Sequence, residues 1–224
     1  SLTQSFQNLT PDRILDSIEK HSGERLTGLL APLPSYINRV YEVQTFSGER
    51  LIAKFYRSGR WDKKAILEEH LFIQDCFEDE IPVIPPLSLA DGSTLAEEDG
   101  ILFCLFPKKG GREMEFNSEE DWKRAGMLIG RMHQAAEKRD AETRIKLNPS
   151  KSTLADIGYL VDNGDIPSYL QDNLKTAAES FIETVTPFFF FFLTSKIHGD
   201  CHIKNILHRP DAVIILIDFD DMMT

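Results

Sequence analysis

Apolar residues along the N-terminal part of the chain first follow a helical rhythm and then a strand rhythm. Ile14, Leu15 and Ile18 are spaced for a helix that Thr10 caps, Pro11 begins and Gly23 stops. Leu26 to Leu33 reads as a strand, Pro34-Ser35-Tyr36-Ile37-Asn38-Arg39 as a loop, and Val40 to Phe46 as a second, alternating strand. Ser47-Gly48-Glu49-Arg50 turns this into a third strand, Leu51-Ile52-Ala53-Lys54-Phe55-Tyr56, which carries a lysine. The helix after Trp61-Asp62 has apolar Ile66, Ile73 and Phe77 on its inward stripe. Glu69, three after Ile66 and four before Ile73, lies on that stripe, whereas Glu68 points toward Lys64 and Asp75.

Ile81-Pro82-Val83-Ile84-Pro85-Pro86 is a stiff extended segment, and Asp91-Gly92 turns the chain before an apolar strand from Ile101 to Phe106. Pro107-Lys108-Lys109-Gly110-Gly111 reads as a linker. The expected division is residues 1–106, an N-terminal helix with a small β-rich lobe, and residues 107–224, a hinge and the start of a larger, mainly helical lobe. A helix capped by Ser118, with acids at 119–121, opens the second part. Its inward positions read as Trp122, Gly126, Ile129 and Met132, with His133 packed in the core.

The densest chemistry lies near the C-terminal end. His198-Gly199-Asp200-Cys201-His202-Ile203-Lys204-Asn205 is followed by a short strand at Ile206-Leu207, a turn at Arg209-Pro210-Asp211, a buried strand Val213 to Ile217, and Asp218-Phe219-Asp220-Asp221. In an antiparallel hairpin the residue before the first strand and the residue after the second are neighbours. Asn205 and Asp218 would then meet at the open end, as two hard oxygen ligands of the kind that hold Mg²⁺ against nucleotide phosphates. Asp200, upstream on the same loop, is placed to accept a proton from an attacking hydroxyl.

Other readings of these residues are weaker. Cys201 between two histidines suggests zinc or a Cys-His nucleophile, but no paired C-x-x-C accompanies it. Asp218 to Asp221 alone would be a solvated acidic turn, and only the Asp200 and Asn205 pattern argues otherwise.

An Asp base, an Asn and a second metal-binding Asp after a hairpin form the core layout of protein-kinase-like folds. The usual H-R-D reads H-G-D here and the usual D-F-G reads D-F-D, as in the branch that includes choline kinases and aminoglycoside phosphotransferases. That layout predicts an α+β, two-lobed fold. Within it the third strand supplies Lys54 for the nucleotide phosphates and the next helix supplies Glu69 to hold it. The backbone from Cys104 to Phe106 would meet adenine. Ser35 and its neighbouring amides would bind phosphate as a nest, or Ser35 simply shapes the turn after Pro34.

The composition changes this picture little. Of 224 residues 42% are hydrophobic and 27% charged, enough for one or two cores, and the net charge of −11 argues against nucleic-acid or anionic-membrane partners. Three cysteines without framework spacing suit a reducing cytoplasm. The N-terminus shows no signal segment, and Phe188 to Phe192 with Leu193 is too short to span a membrane; it reads as a buried segment leading into the catalytic loop.

Several segments together give a narrower resemblance. Pro34-Ser35-Tyr36-x-Asn38-Arg39-Val40-Tyr41, Lys54-Phe55-Tyr56-Arg57-x-x-Arg60-Trp61, Ile66-Leu67-Glu68-Glu69-His70, Gly110-Gly111-Arg112, Leu128-x-Gly130-Arg131-Met132-His133-Gln134 and His198-Gly199-Asp200-Cys201-His202 resemble the bacterial stress response kinase A family. The resemblance implies a cytoplasmic serine/threonine protein kinase that uses ATP and Mg²⁺, acts on protein hydroxyls and serves stress responses; a monomer is expected. It maps Asp200 to the proton acceptor, Asn205 and Asp218 to magnesium, and Ser35 to the ATP loop. A small-molecule kinase of the choline, homoserine or aminoglycoside type shares the same core and is the alternative. Members of that family continue beyond Thr224 with helices that complete the large lobe, so those helices are expected to be absent here.

Overall fold

The computed structural model describes residues 6–191 and 194–224. Helix α1, Pro11–Ser22, starts where Thr10 accepts a hydrogen bond from the Arg13 amide and stops where Gly23 turns left-handed at φ 75°. It buries Ile14 and Ile18 against one face of a five-stranded antiparallel sheet, together with Val43, Ala53, Phe55 and Phe103. The strands are β1 (Leu26–Leu33), β2 (Arg39–Thr45), β3 (Arg50–Phe55), β4 (Ala96–Glu98) and β5 (Ile101–Pro107), in the order β1-β2-β3-β5-β4. Side chains alternate across a strand, so with Ala53 and Phe55 on the α1 face, Lys54 lies on the other. Its register partners Val40 and Cys104 share that face.

Helix α2, Lys63–Glu78, begins at Asp62, whose side chain accepts from the Ala65 amide at 2.8 Å. Ile66 packs with Tyr56, Leu95 and Cys104 under the Lys54 face of the sheet. About two turns further on, Phe72, Ile73 and Cys76 enter a second core with helix α3 (Glu119–Ala136) and the hairpin strands β7 (Ile206–His208) and β8 (Ile214–Leu216). One helix thus serves both cores. Strand β6 (Arg112–Glu113) pairs with β7, and Val83 bridges to Leu216, so the segments before β4 and after β5 both reach the hairpin.

The structure corrects two helix faces. Phe77 is half exposed, and in α3 the residues turned inward are Ala125, Leu128, Met132 and Ala135, while Trp122, Gly126 and His133 face outward. Trp122 instead stacks on Phe116 with ring centroids 4.1 Å apart. Bulk is a poor guide here, because small residues let two helices approach closely, and Ala135 and Ala136 share a core with Phe72, Ile73 and Cys76 of α2. The capping box at Ser118 and Asp121 is present as expected. At the other end of α3 the buried Lys196 donates to the Ala136 carbonyl at 2.7 Å and also to the Arg139 carbonyl, a cation at the helix's negative end.

Helices α4 (Ser152–Asp162) and α5 (Ser168–Phe191) lie in a stretch for which the sequence had yielded no elements. Phe188 to Phe191 continue α5. Phe188 and Phe190 are 58% and 75% exposed, which corrects their expected burial; Phe192 and Leu193 lie outside the described residues. Successive residues on a helix point about 100° apart, so consecutive phenylalanines cannot all face one core. Among the described residues no helix is long and apolar enough to cross a membrane.

Candidate active site

The site assembles where the sheet, α2 and the hairpin converge. Lys54 projects from β3 with its side chain 8% exposed and reaches three carboxylates: Asp218 Oδ1 at 3.0 Å, Asp220 Oδ1 at 3.4 Å and Glu69 Oε1 at 3.7 Å. Burial alone would lower its pKa, but Glu69, Asp220 and Asp218 outweigh that and raise it, so the ammonium stays charged. Burial pushes Glu69 upward, and Lys54 and Arg144 oppose the shift. Burial would also raise Asp218, but Lys54 outweighs it and holds this carboxyl below its usual range. Glu69 is therefore the helix acid beside the lysine. Glu68 instead accepts hydrogen bonds from the amides of Glu142 and Thr143 and from the Thr143 hydroxyl, rather than turning to Lys64 and Asp75.

Behind Lys54 the Tyr56 hydroxyl contacts His70 Nε2 at 3.2 Å and Cys104 Sγ at 3.4 Å, and His70 Nδ1 meets Thr94 Oγ1 at 2.8 Å. Burial, with Lys54 and Arg144 nearby, lowers the His70 pKa to about 3. An unfolded His titrates near 6.5, so below that pH the unfolded chain binds a proton that the folded chain refuses, and stability falls as pH falls. Between pH 6.5 and 4 this single group is expected to cost up to about 1.4 kcal/mol per pH unit. Urea unfolding at pH 7 and pH 5, for the wild type and His70→Gln, checks it. An equal pH slope in both proteins would exclude His70 as the source.

The loop before the hairpin is held against the segment after it. His198, 1% exposed, donates from Nε2 to the Ile217 carbonyl at 2.9 Å and accepts at Nδ1 from the Asp200 amide at 3.3 Å. Its ring lies 4.5 Å from that of Phe219. Gly199 sits at φ 84°, and a Cβ there would fall 1.8 Å from the Asp221 carbonyl oxygen. The glycine of H-G-D is thus the point at which two backbones touch. Asn205, 7% exposed, donates from Nδ2 to the Asp200 carbonyl at 2.9 Å and to Asp200 Oδ2 at 3.4 Å, which leaves its amide oxygen for a cation. The Ile217 amide bonds the Asn205 carbonyl at 3.0 Å, so Asp218 follows directly at the open end of the hairpin. Asp218 itself has φ 61°, a left-handed backbone uncommon outside glycine.

Other expected residues fall as follows. Ser35 is exposed in the β1–β2 loop, next to a fully exposed Tyr36. The Tyr56 amide bonds the Leu102 carbonyl and the Lys108 amide bonds the Arg50 carbonyl, so by alternation Cys104 and Phe106 turn their backbone groups into β3. Their backbone groups are thus taken up within the sheet, which does not fit the adenine contact expected of those two residues. The Cys104 side chain is fully buried, and burial pushes its thiol up to about 12. Cys201 is exposed, and His202 Nε2 lies 3.5 Å from Asp200 Oδ2.

Two basic residues in this cluster carry no motif that assigns them to it. Arg60 pairs with Asp220 at 3.4 Å and with Asp221, and Arg144 donates from Nη2 to Glu69 Oε2 at 3.0 Å. Arg60 lies in a segment that carries only the family resemblance, and Arg144 in a stretch with no motif. Among the described residues no three His, Cys, Asp or Glu side chains group as a metal cage. Asp218 and the Asn205 amide oxygen are the oxygen groups here that could hold a hard cation.

A sheet-based lobe bearing a lysine paired to a helix acid, joined to an H-G-D loop and a hairpin ending in D-F-D, defines a kinase-like phosphotransferase. Residues 30–224 match the phosphotransferase enzyme family, to which the chain belongs. It is 36% identical over 218 residues to stress response kinase A of Escherichia coli (strain K12), covering 97% of this chain and 65% of that protein. Against the serine/threonine protein kinase RdoA of Salmonella typhimurium the identity is 34%, with the same coverage. The chain thus spans about two thirds of the length of the curated relatives it matches. In structure it resembles amicoumacin kinase hAmiN in complex with AMP-PNP, Ca²⁺ and Ami, at TM-score 0.74 and 20% identity, covering 95% of this chain and 64% of that one. It also resembles the microcompartment-associated aminopropanol kinase, at TM-score 0.69 and 20% identity, covering 94% and 70%. At those identities the likeness concerns the fold.

Proposed function

We propose that this chain carries the ATP- and Mg²⁺-dependent phosphoryl-transfer core of a serine/threonine protein kinase. The observation that carries the reading is the convergence on Lys54 of Glu69 from α2 and Asp218 from the end of the hairpin. Lys54 binds the nucleotide phosphates, and Glu69 keeps its ammonium aimed at them. Asp218 and the Asn205 amide oxygen would hold Mg²⁺, which would supply charge neutralisation at the transferring phosphate. Asp200, half exposed beside them, takes the proton of the acceptor hydroxyl. The β1–β2 loop with Ser35 is assigned to the phosphates on the family resemblance. The division into a small lobe to residue 106 and a large lobe after it remains part of this proposal, with α2 bridging the two.

Charge should separate the two metal ligands. Asp218→Asn removes a formal charge and is expected to raise the Mg²⁺ requirement more than Asn205→Ala does. Titrating Mg²⁺ against turnover at fixed ATP checks this, and an unchanged metal dependence in both variants would remove the hairpin end from the metal site.

For the acceptor, the relatives named as stress response and serine/threonine kinases support a protein hydroxyl, while the solved neighbours, named as kinases of small molecules, favour a small alcohol as the second reading. Radiolabelled ATP distinguishes them. The expected result is label on Ser or Thr of the protein itself and of a generic protein substrate. Efficient turnover of choline, homoserine or an aminoglycoside without protein labelling would reverse the choice.

A further inference from the structure

Arg144 comes from the irregular chain between α3 and α4, yet its side chain is 0% exposed at the centre of the site. Each of its nitrogens is spoken for. Nε donates to the Ala65 carbonyl at 2.9 Å, Nη2 to Glu69 Oε2 at 3.0 Å and Nη1 to the Asp220 carbonyl at 2.6 Å. Its guanidinium lies 4.2 Å from the centroid of the Trp61 ring. Two acceptors belong to α2 and the third to the D-F-D segment, so one rigid fork ties the helix that carries Glu69 to the turn that carries Asp218.

The two oxygens of Glu69 are divided between two cations: Oε2 faces Arg144 and Oε1 faces Lys54. Arg144 therefore fixes the rotation of the carboxylate that Lys54 meets, and it offsets the cost of burying that charge. The segment holding Arg144 is itself anchored to α2, since Glu68 grips the backbone at 142 and 143 and Lys64 pairs with Glu142 at 2.8 Å. That gives Glu68 a purpose: it seats the arginine next to its neighbour.

We propose that Arg144 is a positioning residue that holds Glu69 and the Asp218–Asp221 turn in one fixed relation, and so sets the separation of Lys54 and Asp218. The proposal rests on the phosphotransferase reading given above. A shift of about 1 Å in a site of this kind costs on the order of 10²-fold in rate. Arg144→Gln is therefore expected to lose on the order of 10²-fold in kcat, with the KM for ATP changed only a few-fold. Arg144→Lys keeps the charge but not the fork, and should recover part of the loss.

Because Arg144 acts through Glu69, adding Glu69→Gln to Arg144→Gln should cost little more than the worse single change. Hydrogen exchange of the nucleotide-free protein gives a readout independent of turnover. In Arg144→Gln, or in Arg144→Lys where the first does not fold, protection should fall together in residues 63–78 and 218–221 while β1 to β3 keep theirs. Additive kinetic losses, unchanged exchange, or a uniform loss of protection would each overturn the proposal. A wild-type protein that binds no Mg²⁺-ATP would instead overturn the phosphotransferase reading, and the exchange pattern would still decide the role of Arg144.

Discussion

Replacing Asp200 with Asn is expected to cut phosphoryl transfer by roughly 10²–10⁴-fold, the scale of losing a general base, while nucleotide binding changes little. The substitution is nearly isosteric. The Asp200 carbonyl would still receive the Asn205 amide, and its own amide would still reach His198 Nδ1. The loop should therefore keep its shape, and what disappears is the one oxygen able to accept the acceptor's proton. Lys54, Glu69 and Asp218, which face the nucleotide in the proposed scheme, are untouched. His202 is the alternative base, since its Nε2 lies 3.5 Å from Asp200 Oδ2 and its Nδ1 accepts from the Lys204 amide. Single-turnover transfer beside a nucleotide titration separates the two. Activity within a few-fold of the wild type would take the base role away from Asp200, and a matching loss in His202→Asn would give it to the histidine.

The site residues legible from sequence are those whose direction follows from local periodicity. Lys54 faces away from α1 because Ala53 and Phe55 flank it on an alternating strand, and Glu69 faces it because α2 repeats Ile66 and Ile73 about a single stripe. Asn205 and Asp218 are placed by hairpin register alone. Arg144 had no such signal. Its contacts span 75 residues or more of sequence and it sits in no element, so nothing near it announces that an arginine will be buried there. The same holds for Lys196, whose buried ammonium closes the end of α3 some 60 residues earlier in the chain. In α3 the periodicity is visible but its phase is not, because Trp122 is bulkier and more apolar than Ala125. Cys104 and Phe106 were correctly placed on β5, but which of its residues turn their backbone toward β3 depends on a register that only the paired strands reveal.

The last expectation concerns the glycine that replaces the arginine of the usual kinase loop motif. Gly199→Ala is expected to damage folding and catalysis together, for two separable reasons. A left-handed φ of 84° costs an L-residue roughly 1–2 kcal/mol. The added Cβ would also lie 1.8 Å from the Asp221 carbonyl oxygen and 2.5 Å from its carbon, where only backbone movement can relieve the overlap. That movement pushes the Asp200 loop away from the segment bearing Asp218, and His198, whose bond to Ile217 spans the same seam, would be pulled with it. Gly164 supplies the control. It has φ 76° with nothing within 4 Å of the place a Cβ would occupy, so Gly164→Ala carries the backbone cost without the collision. Urea unfolding should place Gly199→Ala well below Gly164→Ala in stability, and any folded fraction should transfer phosphate on the order of 10²-fold more slowly, as misplaced reacting groups do. Equal destabilisation of the two variants, with turnover retained, would show that the loop and the D-F-D segment do not press together at Gly199.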